Sequence, residues 1–321
     1  MHKADVAESI PEIGEDLVAP HASGEAPTFD TRRLRATMGA YINLIKPHVT
    51  VLLLGVTLAA MAVAGKGMPP FGIVLATLIG GALAAGSANA INCYWDRDID
   101  EVMSRTRSRS LPSHRVEPQH ALIFGLVIGA VSFALFAVFV NLLSALLALS
   151  AILFYVVVYT MWLKRTTPQN IVIGGAAGAV PVLIGWAAAT NSLSWAAFWM
   201  FAIIFLWTPP HFWALSLVLK KDYAKAGVPM LPVVKGEAET YRQILLYTVI
   251  LIASTLPLYF LHTLGLLYLV GALALGLGLL ALAIWMAREK TLKSARTMFW
   301  FSNYYLALLF ALMVVDHILL H

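Results

Sequence analysis

Long apolar stretches alternate with short polar ones along the chain. A transmembrane helix needs about 20 apolar residues to cross a hydrocarbon core roughly 30 Å thick. The stretches that reach this length lie at about 47–65, 71–91, 119–140, 142–162, 170–190, 195–217, 243–262, 264–286 and 297–319. The pattern therefore predicts an all-α integral membrane protein with nine transmembrane helices.

The polar connections between these stretches fall into two classes that alternate in sequence. Those near 92–118, 163–169, 218–242 and 287–296 are long and basic, whereas the others are very short and almost uncharged. Of the 22 lysines and arginines, all but Lys66 lie in the N-terminal segment or in the basic connections. Because loops rich in lysine and arginine stay on the cytoplasmic side, we predict a cytoplasmic N-terminus and a periplasmic C-terminus.

The amino-acid composition excludes several classes of protein. Hydrophobic residues make up 60% of the chain and charged residues 12%, whereas soluble domains carry about 25% charged residues, which excludes an ordinary soluble enzyme. The net charge of +5 is explained by the basic connections, so no nucleic-acid partner is needed to account for it. Cys93 is the single cysteine, which excludes an internal disulfide and a thiolate metal cluster.

The first forty residues are polar and of mixed charge, unlike the rest of the chain. We predict a disordered cytoplasmic tail over 1–40 and a transmembrane domain over 41–321. Mitochondrial transit peptides are poor in acidic residues, but the tail contains Asp5, Glu8, Glu12, Glu15 and Asp16. We therefore expect the cytoplasmic (inner) membrane of a bacterium.

The strongest candidate for chemistry is the polar stretch that ends the second apolar segment. Asn92, Asp96 and Asp100 recur every four residues, so in a continuous helix they share one face at intervals of about 6 Å. Like charges at this spacing repel, whereas a divalent cation such as Mg²⁺ would stabilise them and could hold a diphosphate. Asp98 points away from this face and is expected to pair with an arginine. The alternative is a solvated loop whose acids and arginines neutralise each other.

Basic residues follow this cluster, and a second polar cluster closes the sixth apolar stretch. Arg105, Arg107 and Arg109 suit phosphate oxygens, since arginine donates paired hydrogen bonds to them; alternatively they serve only membrane topology. The second cluster, 220–232, contains a single acid, Asp222, among lysines. If the chain has two equivalent halves, Asp222 faces the first cluster across the bundle.

His211 follows Pro209 and Pro210 within the sixth apolar stretch. The two prolines remove backbone hydrogen bonds and kink a helix, and the carbonyls they free need partners inside a cavity. By helical rise, His211 lies roughly 13 Å below the cytoplasmic surface. It is either a contact to a substrate or a haem iron, or an ordinary hydrogen-bonded core histidine.

These motifs resemble the UbiA superfamily of intramembrane prenyltransferases, and within it the branch that farnesylates haem. Asn92-x-x-x-Asp96-x-x-x-Asp100 is typical of the superfamily, whereas three later motifs are typical of the branch. They are Lys164-Arg165-x-Thr167-Pro168-Gln169-Asn170, Pro210-His211-Phe212-Trp213 and Asp222-Tyr223-x-x-Ala226-Gly227. The similarity extends from about Tyr41 to the end of the chain. Two positions depart from the pattern: Asp222 is the only acid left of a second Asp-x-x-x-Asp, and Ser110 replaces a common proline after Arg109.

The resemblance implies a nine-helix bundle with a central cavity open to the cytoplasmic side. It implies Mg²⁺-assisted ionisation of farnesyl diphosphate and capture of the farnesyl cation by a vinyl group of haem b. The catalytic residues and metal ligands would be Asn92, Asp96 and Asp100, with Asp222 as a further metal ligand. Diphosphate would be bound by Arg97, Arg105, Arg109, Lys221 and Lys225, and haem by His211. A haem A synthase or another protein of oxidase assembly is a candidate partner in the lipid bilayer.

Two other functions stay open from the sequence. A UbiA-type enzyme that prenylates an aromatic acid or a quinone precursor would share the first motif, but the single acid of the second cluster and the Pro210–Trp213 motif favour haem. A haem or cation transporter without enzymatic activity would bind similar ligands and transfer no farnesyl group.

Overall fold

The computed structural model describes residues 31–65 and 67–320, which form helices joined by short loops. Within this part of the chain, nine helical spans are long and apolar enough to cross a membrane. They are Pro47–Ala64, Phe71–Trp95, Pro118–Phe139, Leu142–Thr166, Asn170–Thr190, Trp195–Val218, Gly236–Phe260, Leu266–Glu289 and Leu292–Leu319. The predicted number of spans is confirmed for the described residues, and each span overlaps the apolar stretch that predicted it.

Some spans contain more than one helical segment. In chain order the helices are α1 Thr31–Ile45, α2 Pro47–Ala64, α3 Phe71–Trp95, α4 Arg97–Val102, α5 Pro118–Phe139, α6 Leu142–Leu153, α7 Lys164–Thr166, α8 Asn170–Thr190, α9 Trp195–Val218, α10 Lys220–Lys225, α11 Leu231–Val234, α12 Gly236–Thr255, α13 Pro257–Phe260, α14 Leu266–Glu289 and α15 Leu292–Leu320. A π-helix, Phe154–Leu163, connects α6 to α7 within the fourth span. Its wider turn was not expected from the apolar pattern.

Helix α1 begins within the predicted N-terminal tail. It spans Thr31–Ile45, so the predicted domain boundary at 40/41 falls inside α1 and stays a prediction. Apolar residues on one face explain this, because Ala40 and Leu44 are buried against α3 and the loop after α4. Residues 1–30 of the predicted tail lie outside the described residues.

The seventh span also begins earlier than its apolar pattern indicated. Helix α12 begins at Gly236 rather than near 243, and Glu237 and Glu239 lie in its first turn. Acidic side chains are favourable at this position because they face the positive end of the helix dipole. A polar first turn can therefore extend a membrane helix beyond its apolar stretch.

The spans form a closed ring in which each one packs against the next, and α15 returns to pack against α2. The largest apolar cluster joins α2, α8, α9, α12, α14 and α15. Gly185 shows how closely α8 and α2 approach, because a side chain there would collide with the Thr57 carbonyl of α2. Large apolar side chains such as Phe71, Trp195 and Phe260 remain exposed on the outside, as expected for surfaces that face lipid.

Candidate functional site

The candidate site lies at the end of the bundle that carries the basic connections, called the basic end below. Asn92 is in the last turn of α3, Asp96 connects α3 to α4, and Asp100 is in α4. The Asp96 amide donates to the Asn92 carbonyl at 2.9 Å, and the Asp100 amide donates to the Asp96 carbonyl at 2.8 Å. The four-residue repeat is therefore kept across the junction. All three side chains are buried, with exposures of 4%, 1% and 3%.

Asp98 behaves as predicted from its position between these residues. Its side chain is 60% exposed, and it forms an ion pair with Arg165 at 2.7 Å. The hydrogen bond from Arg165 lowers the pKa of the Asp98 carboxyl. Asp98 therefore belongs to the surface of the basic end rather than to the buried acid cluster.

Each buried member of the cluster contacts a basic side chain from a different part of the chain. Lys164 Nζ lies 2.5 Å from Asp96 Oδ2, and Arg109 Nη1 donates to both carboxylate oxygens of Asp100 at 2.9 and 2.8 Å. Lys46 Nζ donates to the Asn92 amide oxygen at 3.0 Å. Three acceptors and three cations thus form one polar cluster below the surface.

Lys46 occupies an unusual position between α1 and α2. Its backbone is left-handed, with a φ of 49°, which costs a residue with a side chain about 1–2 kcal/mol and which often marks a functional site. Burial lowers the pKa of the Lys46 ammonium. The left-handed backbone and the burial of the ammonium group both cost free energy. Lys46 nevertheless places this group against the Asn92 side chain.

The fourth span contributes to the same cluster through its π-helix. Asn92 donates from Nδ2 to Asp96 Oδ2 at 2.6 Å and to the Thr160 hydroxyl at 3.2 Å. The Thr160 hydroxyl in turn donates to the carbonyl of Tyr155, five residues earlier, at 2.9 Å. π-helical segments are rare and often lie at functional sites. Here the segment brings Thr160 into contact with Asn92. It also brings Lys164, which directly follows the segment, into contact with Asp96.

Arg109 is held in a folded loop between α4 and α5. Burial opposes the charge on its guanidinium, but Asp100 outweighs this and raises the pKa of Arg109. Thr106 donates to the Asp100 carbonyl at 3.0 Å, and Ser110 donates to the Ala40 carbonyl of α1 at 2.8 Å. The loop is therefore fastened on both sides of Arg109, so Arg109 is fixed beside Asp100.

The acid cluster has the chemistry needed to hold a divalent cation. Asp96 Oδ1 is buried and accepts no hydrogen bond from the described residues, although Arg165 Nη2 lies 3.8 Å from it. Two carboxylates and one amide oxygen suit Mg²⁺, which prefers oxygen ligands and commonly uses one or two carboxylates. Lys46 now holds the Asn92 amide oxygen, so a metal ion there would have to displace its ammonium group.

The second polar cluster meets the first, as the sequence suggested. Asp222 in α10 accepts a hydrogen bond from Ser104, in the loop after α4, at 2.6 Å. Ile99 and Met103 pack against apolar residues of the second cluster. Burial raises the pKa of Tyr223 in this contact, whereas the charges of Arg105 and Arg109 act in the opposite direction.

The structure does not gather all four predicted metal ligands around one point. Across residues 31–65 and 67–320, no three carboxylate, imidazole or thiol side chains lie close enough together to hold one ion. Asp222 contacts Ser104 instead of joining Asp96 and Asp100. Its assignment to a further metal ion stays a prediction.

The remaining predicted basic residues are exposed at the basic end. Arg105, Lys221 and Lys225 face outward. Arg97 turns toward Tyr94, where it donates to the carbonyl at 2.8 Å and lies 4.8 Å from the ring centroid. Their roles toward diphosphate stay predictions, since exposure leaves them accessible but does not identify a ligand.

His211 lies apart from the acid cluster, at the contact of α9 with α15. Its ring is stacked between those of Trp207 and Phe299, with centroids 4.2 and 4.7 Å away. Its Nδ1 atom lies 2.7 Å from the Ser302 hydroxyl. Helix α9 continues through Pro209 and Pro210, both of which are buried. Haem binding by His211 stays a prediction.

Lys46, Lys164 and Thr160 were not among the predicted site residues. Lys46 lies 46 residues from Asn92, and Lys164 lies 68 residues from Asp96. The predicted topology gave part of this information, because it placed both lysines at the ends of spans on the same side of the membrane as the acid cluster. Charge counting alone could not separate them from lysines that serve only orientation.

Comparison with known proteins identifies relatives along most of the chain. Residues 53–309 match the model of the UbiA prenyltransferase family. A Protoheme IX farnesyltransferase from Gloeobacter violaceus is 54% identical over 289 residues, which cover 90% of this chain and 95% of that protein. A protein of the same name from Symbiobacterium thermophilum is 53% identical over 279 residues, which cover 86% and 93% of the two chains.

Solved structures share the fold at much lower identity. A digeranylgeranylglyceryl phosphate synthase superposes with a TM-score of 0.73 at 18% identity, covering 88% of this chain and 99% of that one. A UbiA homolog from Archaeoglobus fulgidus bound to GPP and Mg²⁺ has a TM-score of 0.64 at 15% identity, with coverages of 85% and 99%. These similarities show that the nine-span bundle is a shared architecture.

Proposed function

The chain belongs to the UbiA prenyltransferase family, and we propose that it transfers the farnesyl group of farnesyl diphosphate to a vinyl group of haem b. Haem b, farnesyl diphosphate and water would give haem O and diphosphate. The observation that carries this proposal is the 54% identity with a Protoheme IX farnesyltransferase over 90% of the chain. The buried acid and base cluster supplies the matching chemistry for a diphosphate leaving group.

The protein's cations would stabilise the leaving group. When the carbon–oxygen bond breaks, negative charge develops on the diphosphate and positive charge on the allylic carbon. Arg109 is already held in place by both oxygens of Asp100 and by its fastened loop, and Lys46 and Lys164 lie beside Asn92 and Asp96. Charges that need no reorganisation during the reaction are the most effective ones for stabilising a transition state.

Asn92, Asp96 and Asp100 would hold Mg²⁺, and Asp222 a further ion. When bound, Mg²⁺ would act as a Lewis acid and neutralise negative charge on the phosphate oxygens. The orphaned Asp96 Oδ1 supports this assignment, and the family member solved with GPP and Mg²⁺ supports use of a divalent metal. Lys46 and Lys164 would then exchange their present acceptors for phosphate oxygens, because an ammonium group and a metal ion compete for the same oxygen atoms.

The exposed basic residues would complete diphosphate binding. Arg97, Arg105, Lys221 and Lys225 lie on or beside the two polar clusters at the basic end. Arginine can grip phosphate through two parallel hydrogen bonds, whereas lysine provides a point charge. Their exposure would let them attract the anion before the buried cations bind it.

The proposed orientation in the membrane rests on the distribution of lysine and arginine among the connections. The nine spans make the chain a multi-pass membrane protein, and we propose a bacterial inner membrane with the basic end in the cytoplasm. The N-terminus would then be cytoplasmic and the C-terminus periplasmic. A protein of oxidase assembly that receives haem O would have to approach within this membrane.

A reconstitution assay tests the reaction. Purified protein is incubated with haem b, farnesyl diphosphate and Mg²⁺, and mass spectrometry is used to detect haem O together with released diphosphate. We expect both products, and no product when 4-hydroxybenzoate replaces haem b. Transfer to 4-hydroxybenzoate without transfer to haem would indicate an aromatic prenyltransferase, and haem binding without any farnesyl transfer would indicate a transporter.

A further inference from the structure

The imidazole of His211 can act only through its nitrogen atoms. Trp207 and Phe299 cover its two faces at centroid distances of 4.2 and 4.7 Å. Nδ1 lies 2.7 Å from the Ser302 hydroxyl oxygen, whereas Nε2 has no hydrogen-bond partner among the described residues. The chemistry of the ring therefore depends on which nitrogen carries the proton.

Ser302 determines that choice through its single hydroxyl hydrogen. The Ser302 hydroxyl donates to the Phe299 carbonyl, one turn earlier in α15, at 2.7 Å. Because that hydrogen is used, the hydroxyl oxygen can only accept from His211, so Nδ1 carries the proton. The Ser302 carbonyl also accepts from Trp207 Nε1 at 2.7 Å. One residue of α15 thus holds two neighbouring aromatic rings of α9.

The opposite tautomer would be less favourable in this setting. With the proton on Nε2, the Nδ1 lone pair would face the Ser302 hydroxyl oxygen at 2.7 Å with no hydrogen between them, because that hydroxyl already donates to the Phe299 carbonyl. Two lone pairs at this distance repel each other. The arrangement with Nδ1–H donating to Ser302 satisfies the proton and leaves a lone pair on Nε2.

We propose that Ser302 is a positioning residue that holds His211 as the Nδ1–H tautomer and so leaves Nε2 free to ligate the haem iron. The tautomer follows from the contacts of Ser302, whereas the iron ligand rests on the proposed function. Histidine ligands of metals generally donate their other ring hydrogen to a fixed acceptor, which sets the tautomer and the ring orientation. Ser302 supplies that acceptor here.

The tautomer can be measured without haem or farnesyl diphosphate. Protein labelled with ¹⁵N-histidine is reconstituted into nanodiscs, and proton–nitrogen correlation spectra distinguish Nδ1–H from Nε2–H. The His211 signal is identified by its absence in His211→Gln. We expect Nδ1–H in the unmodified protein, whereas Nε2–H would overturn the proposal whatever reaction the protein catalyses.

Substitutions at Ser302 then separate positioning from packing. Ser302→Ala should raise the Nε2–H population, and Ser302→Thr, which keeps the hydroxyl, should restore Nδ1–H. Asn303→Ala is a matched control, because Asn303 donates to the same Phe299 carbonyl at 3.0 Å, whereas in the described part of the chain the side-chain hydrogen bond of His211 is with Ser302. An unchanged tautomer in Ser302→Ala would overturn the role of Ser302.

Haem binding gives the second readout. With ferrous haem b and no farnesyl diphosphate, resonance Raman spectra should show an iron–histidine stretch that is lost in His211→Gln. Ser302→Ala should weaken haem binding by about tenfold or more and lower the stretching frequency, whereas Asn303→Ala should do neither. If haem O forms but no iron–histidine stretch appears, the ligand assignment fails while the proposed function stands.

Discussion

At the residue scale, each buried acid of the candidate site forms an ion pair, Asp96 with a lysine 68 residues away and Asp100 with an arginine nine residues away. Asp96 is 1% exposed and lies against Lys164, and Asp100 is 3% exposed and lies against Arg109. An unpaired charge at such depth would be costly, and each pair places a basic side chain directly beside a buried carboxyl group. Under the proposed function, these residues would meet the diphosphate and a metal ion.

Asp96→Asn and Asp100→Asn each remove one carboxylate from the buried cluster. We expect haem O formation to fall by at least about 100-fold, since each loses a large electrostatic contribution to the leaving-group step. Asp98→Asn is the matched control, because Asp98 is 60% exposed and pairs only with Arg165 at the surface. Turnover assays should show Asp98→Asn close to the unmodified protein. Equal losses in all three variants would contradict the separation of Asp98 from the site.

Lys164→Gln should make stability depend on divalent metal. Removing the ammonium leaves the buried Asp96 carboxylate with Arg165, 3.8 Å away, as its cationic neighbour, and breaking a buried pair costs about 3 kcal/mol or more. Since Mg²⁺ can take the place of the ammonium, it should raise the Tm of this variant more than that of the unmodified protein. Lys220→Gln is the control, because Lys220 forms an exposed pair with Glu237. Equal Mg²⁺ effects on both variants would argue against a metal at Asp96.

At the element scale, the π-helix of the fourth span connects helix packing to the site. Tyr159 lies against Gly174 of α8, where a side chain would collide with its ring. One residue further along the π-helix, Thr160 accepts from Asn92 at 3.2 Å. The close approach of α8 therefore positions the turn that reaches the α3–α4 junction.

Gly174→Ala tests this connection. The added methyl group has to displace the Tyr159 ring, and overpacking of this kind costs about 1–3 kcal/mol. We expect a lower Tm and reduced turnover, because the displaced ring moves the turn that carries Thr160. Gly178→Ala is the matched control one turn along α8, where an added methyl meets no atom within 4 Å. A loss of stability in both variants would indicate a general intolerance of α8.

At the scale of the whole molecule, the ring of spans brings segments from both halves of the chain together at the basic end. The contact between Ser104 and Asp222 joins residues 118 positions apart. Apolar residues beneath it join the loop after α4 to the loop after α10. This packing joins the two polar clusters at the basic end, whereas Lys66 is the only lysine or arginine in the short connections at the opposite end.

Cysteine labelling tests the proposed orientation. Cys93 is buried, so the unmodified protein should react slowly with a membrane-impermeant maleimide. Ser192→Cys introduces an exposed thiol between α8 and α9, and Ser108→Cys introduces one at the basic end. In spheroplasts we expect Ser192→Cys to be labelled directly and Ser108→Cys only after permeabilisation. The reverse pattern would invert the topology without affecting the fold.

Local properties of the sequence determined the nine spans, the alternation of basic connections, the Asn92–Asp100 repeat and the outward position of Asp98. Apolar length, charge count and four-residue spacing are read within one segment, so no tertiary contact is needed to see them. The tertiary structure alone decided that Lys46 and Lys164 reach Asn92 and Asp96. It also decided that the fourth span contains a π-helix and that Ser302 holds His211. Each of these depends on which distant side chain fills a given space, and no spacing within a segment encodes that.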